Sequence, residues 1–339
     1  MISKRTKLRI FALLFSLACG LIVSEIVLRL INYRPILMDP GLYVANDSEL
    51  MPYKLKPNYD GLYAGQRVRT DADGYRVVSP DPRLAQAAAK ENPDRVVLIL
   101  GDSAVFGHGL SDEETIASQL QNLVYTKNLN YQVKSIGVSG YTSWNEYGSL
   151  EDYLTKHTAT DVIVLYIPND ITFENDYFGI RRGNLPSFAQ RDTAFLRFTR
   201  ALYSHFYTAF LISDGIKKVS ARLNNTDGYS GKFDLENRQP EFNYSMDALS
   251  KMQELCGQRK MSFAVAIYRD VEHYYAPEKS LAYEAAIKKS LDARGIKSFV
   301  AKSHIENLKF NEAKVLWNDP HPSARAITFI AGDFFKALE

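Results

Sequence analysis

Strand-like and helix-like stretches alternate through most of this chain, and the alternation limits the folds that it can adopt. From residue 93 onwards, short apolar runs of strand length are followed by longer stretches with helical periodicity. This pattern is typical of β–α–β units, in which right-handed crossovers place parallel strands side by side with helices on both faces. The sequence therefore predicts an α/β fold with a doubly wound parallel sheet in three layers.

The boundaries of these elements can be read from the sequence. The predicted strands are 96–100, 131–137, 161–167, 262–268 and 297–301. The predicted helices lie near 113–126, 143–156, 243–259, 279–294 and 322–338. Because the carboxyl ends of parallel strands meet at one edge of a sheet, the residues that follow these strands are expected to share a site.

Ser103 directly follows the first of these strands. Gly101 ends the apolar run, and Asp102-Ser103 stands where open α/β sheets place their ligands. A serine fixed in a tight turn at the start of a helix meets the requirements of a hydroxyl nucleophile. The alternative is a glycine-punctuated turn with a helix-capping serine, since strand-Gly-Asp-Ser also occurs by chance.

Three further segments carry glycine or polar residues at comparable places. SIGVSGYT, residues 135–142, contains Gly140 after a strand. DVIVLYIPND, residues 161–170, contains Asn169 after the next strand, and WNDPHPS, residues 317–323, precedes the last helix. In chain order the four segments supply serine, glycine, asparagine and histidine.

In these four segments the chain resembles the SGNH (GDSL-type) hydrolases, and in particular a membrane-anchored bacterial branch. The resemblance covers about residues 92–170 and 315–338. It implies a nucleophilic serine, a histidine general base held by an aspartate, and an oxyanion hole formed by serine and glycine N–H groups and an asparagine amide. Carried over by position, the catalytic residues are Ser103, His321 and Asp319, and the oxyanion hole is formed by Ser103, Gly140 and Asn169.

Elementary chemistry agrees with these roles. A serine hydroxyl is a poor nucleophile until an adjacent base takes its proton, and histidine, with an ordinary pKa near ~6.5, can do so near neutral pH. Each donor aimed at the developing oxyanion contributes about 3–4 kcal/mol. Glycine lets its N–H approach the substrate closely, and the asparagine amide is an uncharged donor.

Two positions depart from the usual pattern of the family. Asn318 stands three residues before His321, where the family most often has aspartate, and Asp319 stands only two before. The Asp-x-His spacing occurs in some membrane-anchored and polysaccharide-modifying relatives and favours Asp319 as the orienting group. Ile167 replaces a glycine that often stands two residues before Asn169. Supporting roles in the turns and beside the imidazole are assigned to Asp102, Asn318 and Asp170.

Two other polar residues have both a functional and a structural interpretation. His108 lies five residues after Ser103 and could line the site, but a surface position at a helix start is favoured. Arg76 could also reach the site, and a surface position is again favoured. The remaining histidines and the two cysteines, Cys19 and Cys256, lack the spacing of metal ligands or of a disulfide framework, so no metal or cofactor is predicted.

Residues 1–32 are predicted to be a single-pass signal anchor. The apolar stretch from Ile10 to Ile31 has the length of one membrane-spanning helix. Its flank carries Lys4, Arg5, Lys7 and Arg9, so the N-terminus is expected in the cytoplasm and the rest outside, in the periplasm or at the cell surface. A cleaved signal peptide is the main alternative; a lipoprotein at Cys19 is disfavoured because Ser16 is not a large aliphatic residue.

The remaining segments complete the predicted domain organisation. Residues 33–92 form a partly β extracytoplasmic segment with hairpin signals at Asp60-Gly61 and Asp73-Gly74. Residues 93–339 form the hydrolase domain, with an insertion at 171–241. Part of the insertion, 193–212, is expected to be a helix with one broad apolar face, buried against the sheet in preference to forming a lid or touching a membrane surface.

The charge and the motifs limit the classes of function that the chain can have. The net charge of +2 becomes −2 without the four basic residues at the N-terminus, which does not suggest nucleic-acid binding. The prediction is an esterase that cleaves acyl esters, with a carbohydrate O-acetyl ester as the first substrate to test. The alternatives are an O-acyltransferase on an envelope polysaccharide and a non-catalytic component of an envelope complex. A flavodoxin-like nucleotide binder is disfavoured because GDSAVFGHG is neither GxGxxG nor a P-loop.

Overall fold

The computed structural model describes most of the chain. The described residues are 3–31, 33–37, 39–88, 92–171, 194–223, 235, 238–269, 277–301, 307–316 and 319–339. Asn318, one of the predicted supporting residues, and much of the predicted insertion lie outside them.

The N-terminal part consists of one long helix followed by short strands. A 27-residue helix begins at Lys4, and its most apolar window has a mean hydropathy of 2.4 with none of that window buried. This helix is long and apolar enough to cross a membrane, as an anchor or a signal sequence would be. The elements are α1 (Lys4–Leu30), β1 (Tyr43–Ala45), β2 (Tyr53–Leu55), β3 (Asp60–Tyr63), β4 (Gln66–Arg69) and α2 (Pro82–Ala88).

The rest of the described chain alternates strand and helix, with one additional hairpin near the C-terminus. Its elements are β5 (Arg95–Gly101), α3 (Ser103–Phe106), α4 (Ile116–Thr126), β6 (Tyr131–Gly137), α5 (Ser143–Lys156), β7 (Asp161–Tyr166), α6 (Ala194–His205), α7 (Tyr207–Leu223), α8 (Gln239–Gln258), β8 (Ser262–Tyr268), α9 (Pro277–Ala293), β9 (Ser298–Ala301), α10 (Phe310–Ala313), β10 (Lys314–Leu316), β11 (Asp319–Pro322) and α11 (Ala324–Leu338).

Five strands form one parallel sheet in the order β6-β5-β7-β8-β9, which confirms the predicted α/β fold class. Strand β5 pairs with β6 on one side and with β7 on the other, so that Leu98 lies opposite both Lys134 and Val162. The direction of winding reverses at β5, and a ligand crevice is expected outside the carboxyl ends of β5 and β7.

The sheet is buried on both faces because successive residues of its strands point to opposite sides. Val97 and Ile99 of β5 pack with residues of α4 and α11, whereas Leu98 and Leu100 pack with residues of α5, α8 and α9. This explains why the first strand reads as a continuous apolar run.

Gly137, at the end of β6, allows α3 to sit directly against the sheet. A Cβ atom at this position would lie 2.3 Å from the backbone nitrogen of Phe106, which is far inside van der Waals contact. Any side chain at residue 137 would therefore displace the one-turn helix that begins with Ser103.

The segment between α1 and the sheet contains two antiparallel hairpins, β1–β2 and β3–β4. The hairpin signal at Asp60-Gly61 was wrong, because both residues lie inside β3 and the turn falls at Ala64 and Gly65. Ala64 and Gly65 both have positive φ angles, 49° and 79°, as a tight hairpin turn requires. The second signal is confirmed by a turn at Gly74 and a bridge between Thr70 and Arg76.

The aromatic part of the insertion forms two helices, α6 and α7, that meet at Phe206. None of the α6 residues is buried, and α7 packs against α1. The expectation of a single helix buried against the sheet is therefore wrong. Its apolar periodicity is present, but the face that it defines points away from the core.

Candidate active site

Ser103 is the first residue of α3 and lies directly beyond the carboxyl end of β5. Asp102 caps this helix, since its Oδ1 atom accepts a hydrogen bond from the Ala104 N–H at 2.9 Å. The buried residues of α3, Ala104, Val105 and Phe106, hold the turn against the sheet, while Ser103 stays partly exposed. The local sequence thus places a hydroxyl group at the sheet edge with little freedom to move.

His321 is brought to Ser103 by the β10–β11 hairpin. Its Nε2 atom lies 2.9 Å from Ser103 Oγ, and its Nδ1 atom lies 2.5 Å from Asp319 Oδ1. The same carboxylate oxygen accepts the His321 backbone N–H at 2.9 Å. The Asp-x-His spacing therefore lets one carboxylate hold both the ring and the backbone of the histidine.

Asp319 is almost fully buried, with 2% of its surface exposed. Burial by itself would raise the pKa of this carboxyl, but the charge of His321 and the hydrogen bonds from His108 and His321 outweigh burial and hold the pKa well below its usual range. Asp319 is therefore ionised wherever the protein is folded at ordinary pH, and it can stabilise a positive charge on His321.

His108 is a neighbour of this pair, and the expectation of a surface position is wrong. Its side chain is 3% exposed, its Nε2 atom lies 3.2 Å from Asp319 Oδ2, and its ring stacks on that of His321 at 4.4 Å. Burial and the neighbouring charge of His321 lower the pKa of His108. A neutral His108 can donate its Nε2–H to the second oxygen of Asp319, so each carboxylate oxygen has a histidine partner.

Arg76 holds the backbone segment that carries His108, and the predicted surface position of Arg76 is also wrong. The guanidinium is buried and donates to the backbone oxygens of Phe106, Gly107 and Leu110, the last two at 2.7 and 2.6 Å. It also forms an ion pair with Asp112 at 3.1 Å. Because these carbonyls belong to the loop that carries His108, Arg76 shapes the site without reaching it.

Asn169 lies beyond β7, in the turn Pro168–Asp170. Its side-chain amide donates to Asp102 Oδ2 at 2.8 Å, and the Ser103 hydroxyl lies 3.0 Å from the same oxygen. Asp102 therefore orients the Asn169 amide in addition to capping α3. An amide nitrogen carries two hydrogens, and this contact uses one of them.

Gly140 lies in the loop after β6, with a φ angle of 85° that a side chain would strain. The loop is braced by the β1–β2 hairpin. The Tyr53 hydroxyl donates to the Ser139 carbonyl at 2.8 Å, and the Tyr141 hydroxyl donates to the Tyr53 carbonyl. The predicted extracytoplasmic segment thus fixes the backbone around one of the predicted oxyanion donors.

Two buried carboxyl groups, those of Glu146 in α5 and Asp170, lie close enough to Asp102 for its charge to act on both. Both Glu146 oxygens and Asp170 Oδ1 have no hydrogen-bond partner among the described residues, while Asp170 Oδ2 accepts the Ile167 N–H at 2.7 Å. Burial raises the pKa of Glu146 well above its ordinary value, and the charge of Asp102 adds to this. Burial and the charges of Glu146 and Asp102 likewise raise the pKa of Asp170.

Glu146→Gln is expected to make the free energy of unfolding fall less steeply as pH rises. The raised pKa means that the folded state keeps a proton that the unfolded chain releases, so stability is lost as pH rises above the ordinary glutamate pKa of about 4.3. Each such proton adds a slope of up to about 1.4 kcal/mol per pH unit to the free energy of unfolding, and the substitution removes one. Denaturant unfolding of the full chain in detergent, from about pH 5 to pH 8, measures this slope.

Glu151→Gln is the matched control, since Glu151 is exposed on the same helix. It should keep the wild-type slope. If Glu146→Gln and wild type have equal slopes, Glu146 is ionised in the folded protein and the assignment of a buried proton is wrong.

One cluster among the described residues has the composition of a metal site. His108, Asp319 and His321 each offer one possible ligand atom, a ring nitrogen or a carboxylate oxygen, and these atoms lie within 4.8 Å of one another. The same three side chains form the hydrogen-bonded arrangement described above, which accounts for their closeness without an ion.

The structure places most of the predicted site residues in contact with one another. Ser103, His321, Asp319, Asp102 and Asn169 are linked by hydrogen bonds, and Asp170 braces the turn that carries Asn169. Three further residues surround this site: His108 and Arg76, for which a surface position is favoured by the sequence, and Glu146, to which no motif points. The glycines on both sides of His108 were the available signal, because they are poor helix residues and argued against a histidine on a helix surface.

Comparison with known proteins gave matches only among solved structures. No family model and no curated protein matches the chain. Three of the matching solved structures illustrate the likeness, and each match covers 72% of this chain. TesA is 14% identical with a TM-score of 0.44 over 98% of its length. A GDSL-like lipase from Bacteroides thetaiotaomicron is 13% identical with a TM-score of 0.38 over 87%. Axe2, an acetylxylan esterase from Geobacillus stearothermophilus, is 13% identical with a TM-score of 0.40 over 94%.

Proposed function

We propose that the protein is a serine esterase of the SGNH type that cleaves acyl esters through an acyl-enzyme on Ser103. The observation that carries this proposal is the unbroken series of contacts from Asp319 Oδ1 to His321 Nδ1, 2.5 Å, and from His321 Nε2 to Ser103 Oγ, 2.9 Å. A histidine placed in this way can take the serine proton and is itself held by a buried carboxylate.

The reaction follows from this placement. His321 Nε2 accepts the proton of Ser103 as Oγ bonds to the ester carbonyl carbon, and Asp319 stabilises the resulting imidazolium. The N–H groups of Ser103 and Gly140 and the amide of Asn169 receive the negative oxygen of the tetrahedral intermediate. His321 then gives the proton to the departing alcohol. Water attacks the acyl-enzyme with the same base, releasing the acid and restoring Ser103.

The competing non-catalytic interpretation loses support from the same geometry. A binding component that kept these residues only for structure would not need the serine, histidine and aspartate joined in series within hydrogen-bond distance. Ser103 and His321 are also both partly exposed, so a substrate can reach them.

We infer further that this site lies outside the cytoplasm, anchored by α1. The four basic residues in the first two turns of α1 favour a cytoplasmic N-terminus. An acylated carbohydrate of the cell envelope is then the substrate class to test first, because of this location and the Asp-x-His spacing of Asp319 and His321. Transfer of the acyl group to a sugar hydroxyl instead of water would use the same intermediate.

Labelling with a fluorophosphonate probe tests the nucleophile without knowledge of the substrate. The full-length protein in detergent should be labelled, and Ser103→Ala should lose the label completely. Ser250→Ala serves as control and should be labelled as wild type, since the Ser250 hydroxyl donates to Met246 O of the same helix, α8, at 3.0 Å. Labelling that survives in Ser103→Ala would overturn the proposal, as would a folded wild-type protein that does not react.

A further inference from the structure

Helices α6 and α7 expose a continuous set of large apolar side chains. Phe195 and Phe198 are three residues apart on one face of α6, and Ile212, Ile216 and Val219 follow the same helical spacing on α7. Phe206 lies between the two helices. Each of these six side chains is more than half exposed. Apolar groups on that scale mark a binding surface on most soluble domains.

The α6–α7 junction is attached to the end of the apolar helix α1. Glu25 accepts hydrogen bonds from the N–H groups of Tyr207 and Thr208, at 3.2 and 3.0 Å, and so caps the first turn of α7. Arg29 donates to the carbonyl of His205 at 2.9 Å and stacks over the Tyr207 ring at 4.4 Å.

These contacts make the last turns of α1 part of the folded protein. Glu25 and Arg29 also form an ion pair with each other, at 2.7 Å, and Leu28 and Tyr33 are buried. Removal of α1 as a signal peptide would leave the start of α7 uncapped. The contacts therefore favour α1 as a retained anchor, and they place α6 and α7 where α1 would leave the bilayer.

We propose that the α6–α7 pair lies in the interfacial layer of the membrane that α1 spans, with the six apolar side chains inserted among the lipids. This proposal rests on α1 as an anchor and does not depend on the ester chemistry. The helices α7 and α1 pack together, and the most apolar window of α1 is fully exposed and long enough to cross a bilayer.

The polar side chains near the α6–α7 junction are of the types found among lipid headgroups. A cavity of about 350 Å³ between α1 and the α6–α7 junction is lined by Arg29, Arg34, Ser204 and Tyr207, among others. Arginine and tyrosine side chains are favoured at the membrane–water boundary, where a charge or hydroxyl meets phosphate groups and the apolar part stays in lipid.

Tryptophan substitutions read by brominated lipid test the placement. Full-length Phe198→Trp and Ile216→Trp would be reconstituted in vesicles of ordinary or dibrominated phosphatidylcholine. Leu281→Trp is the matched control, because Leu281 is an exposed apolar residue of α9, which packs against the sheet. Wild type supplies the background of Trp144 and Trp317.

The added fluorescence at 198 and 216 should fall at least about twofold in brominated lipid, and that at 281 should stay unchanged. Circular dichroism checks that each variant is folded. Equal fluorescence in the two lipids for all three variants would overturn the proposal. The proposal would also be overturned if the tryptophans at 198 and 216 were shielded from bromine quenching only as the protein concentration was raised. The six apolar side chains would then be covered by a second copy of the chain.

Discussion

Replacement of His321 by alanine is expected to lower kcat for hydrolysis of a simple aryl ester by up to about 10⁶-fold. The loss is large because His321 Nε2, 2.9 Å from Ser103 Oγ, is the base that takes the serine proton in the proposed reaction. Neutral His108 cannot replace it, because its own Nε2 is bonded to Asp319 Oδ2 at 3.2 Å. Steady-state kinetics of the full chain in detergent would measure the effect.

His157→Ala provides the matched control. His157 also pairs with an aspartate, its Nε2 lying 3.0 Å from Asp73 Oδ2, but it stands at the C-terminal end of α5 and makes none of the contacts that join Ser103, His321 and Asp319. Its loss should leave kcat within about twofold of wild type. If His321→Ala kept more than about a tenth of the wild-type kcat, His321 would not be the general base.

The parts of the fold that follow from local periodicity could be predicted from the sequence. Strands 131–137 and 262–268 have the predicted bounds, because β-branched and apolar residues between polar turns leave few alternatives. The proximity of the predicted site residues that follow strands could be predicted as well, since a parallel sheet gathers the carboxyl ends of its strands.

The missed residues depend on contacts between distant parts of the chain. His108 is buried because Asp319, Tyr63 and His321 surround it, and none of these is near it in sequence. Arg76 is buried because three backbone carbonyls of another loop accept its hydrogen bonds. Local spacing identifies none of these partners. The glycines beside His108 argue only against a helix-surface position, so the burial of the two side chains could not be inferred from the sequence.

The apolar face of α6 and α7 illustrates a different limit. Periodicity identifies an apolar stripe but not what the stripe contacts, because a protein core and a lipid layer favour the same residues. Attachment to α1 through Glu25 and Arg29, which the structure alone reveals, is what distinguishes the two environments.

Asp319→Asn is expected to lower kcat by about 10⁴-fold while leaving the fold intact. The Asp319 carboxylate accepts from two histidines, through Oδ1 to His321 and Oδ2 to His108. An amide has one accepting oxygen and one donating nitrogen, so it can satisfy only one of them in the native tautomer. Where the amide donates to His321 Nδ1, the ring proton moves to Nε2, and that atom can no longer accept the serine proton.

The same substitution at Asp333 separates this effect from the cost of altering a buried aspartate. Asp333 is 9% exposed on α11, ten residues and about 15 Å beyond the capping Ser323, so Asp333→Asn should keep nearly wild-type kcat. In Asp319→Asn, the lost counter-charge should also lower the pKa of His321 in the kcat/KM profile against pH. A variant with wild-type kcat and an unshifted profile would show that Asp319 only packs beside His321, because a carboxylate that sets the tautomer and charge of the base cannot be neutralised without altering both.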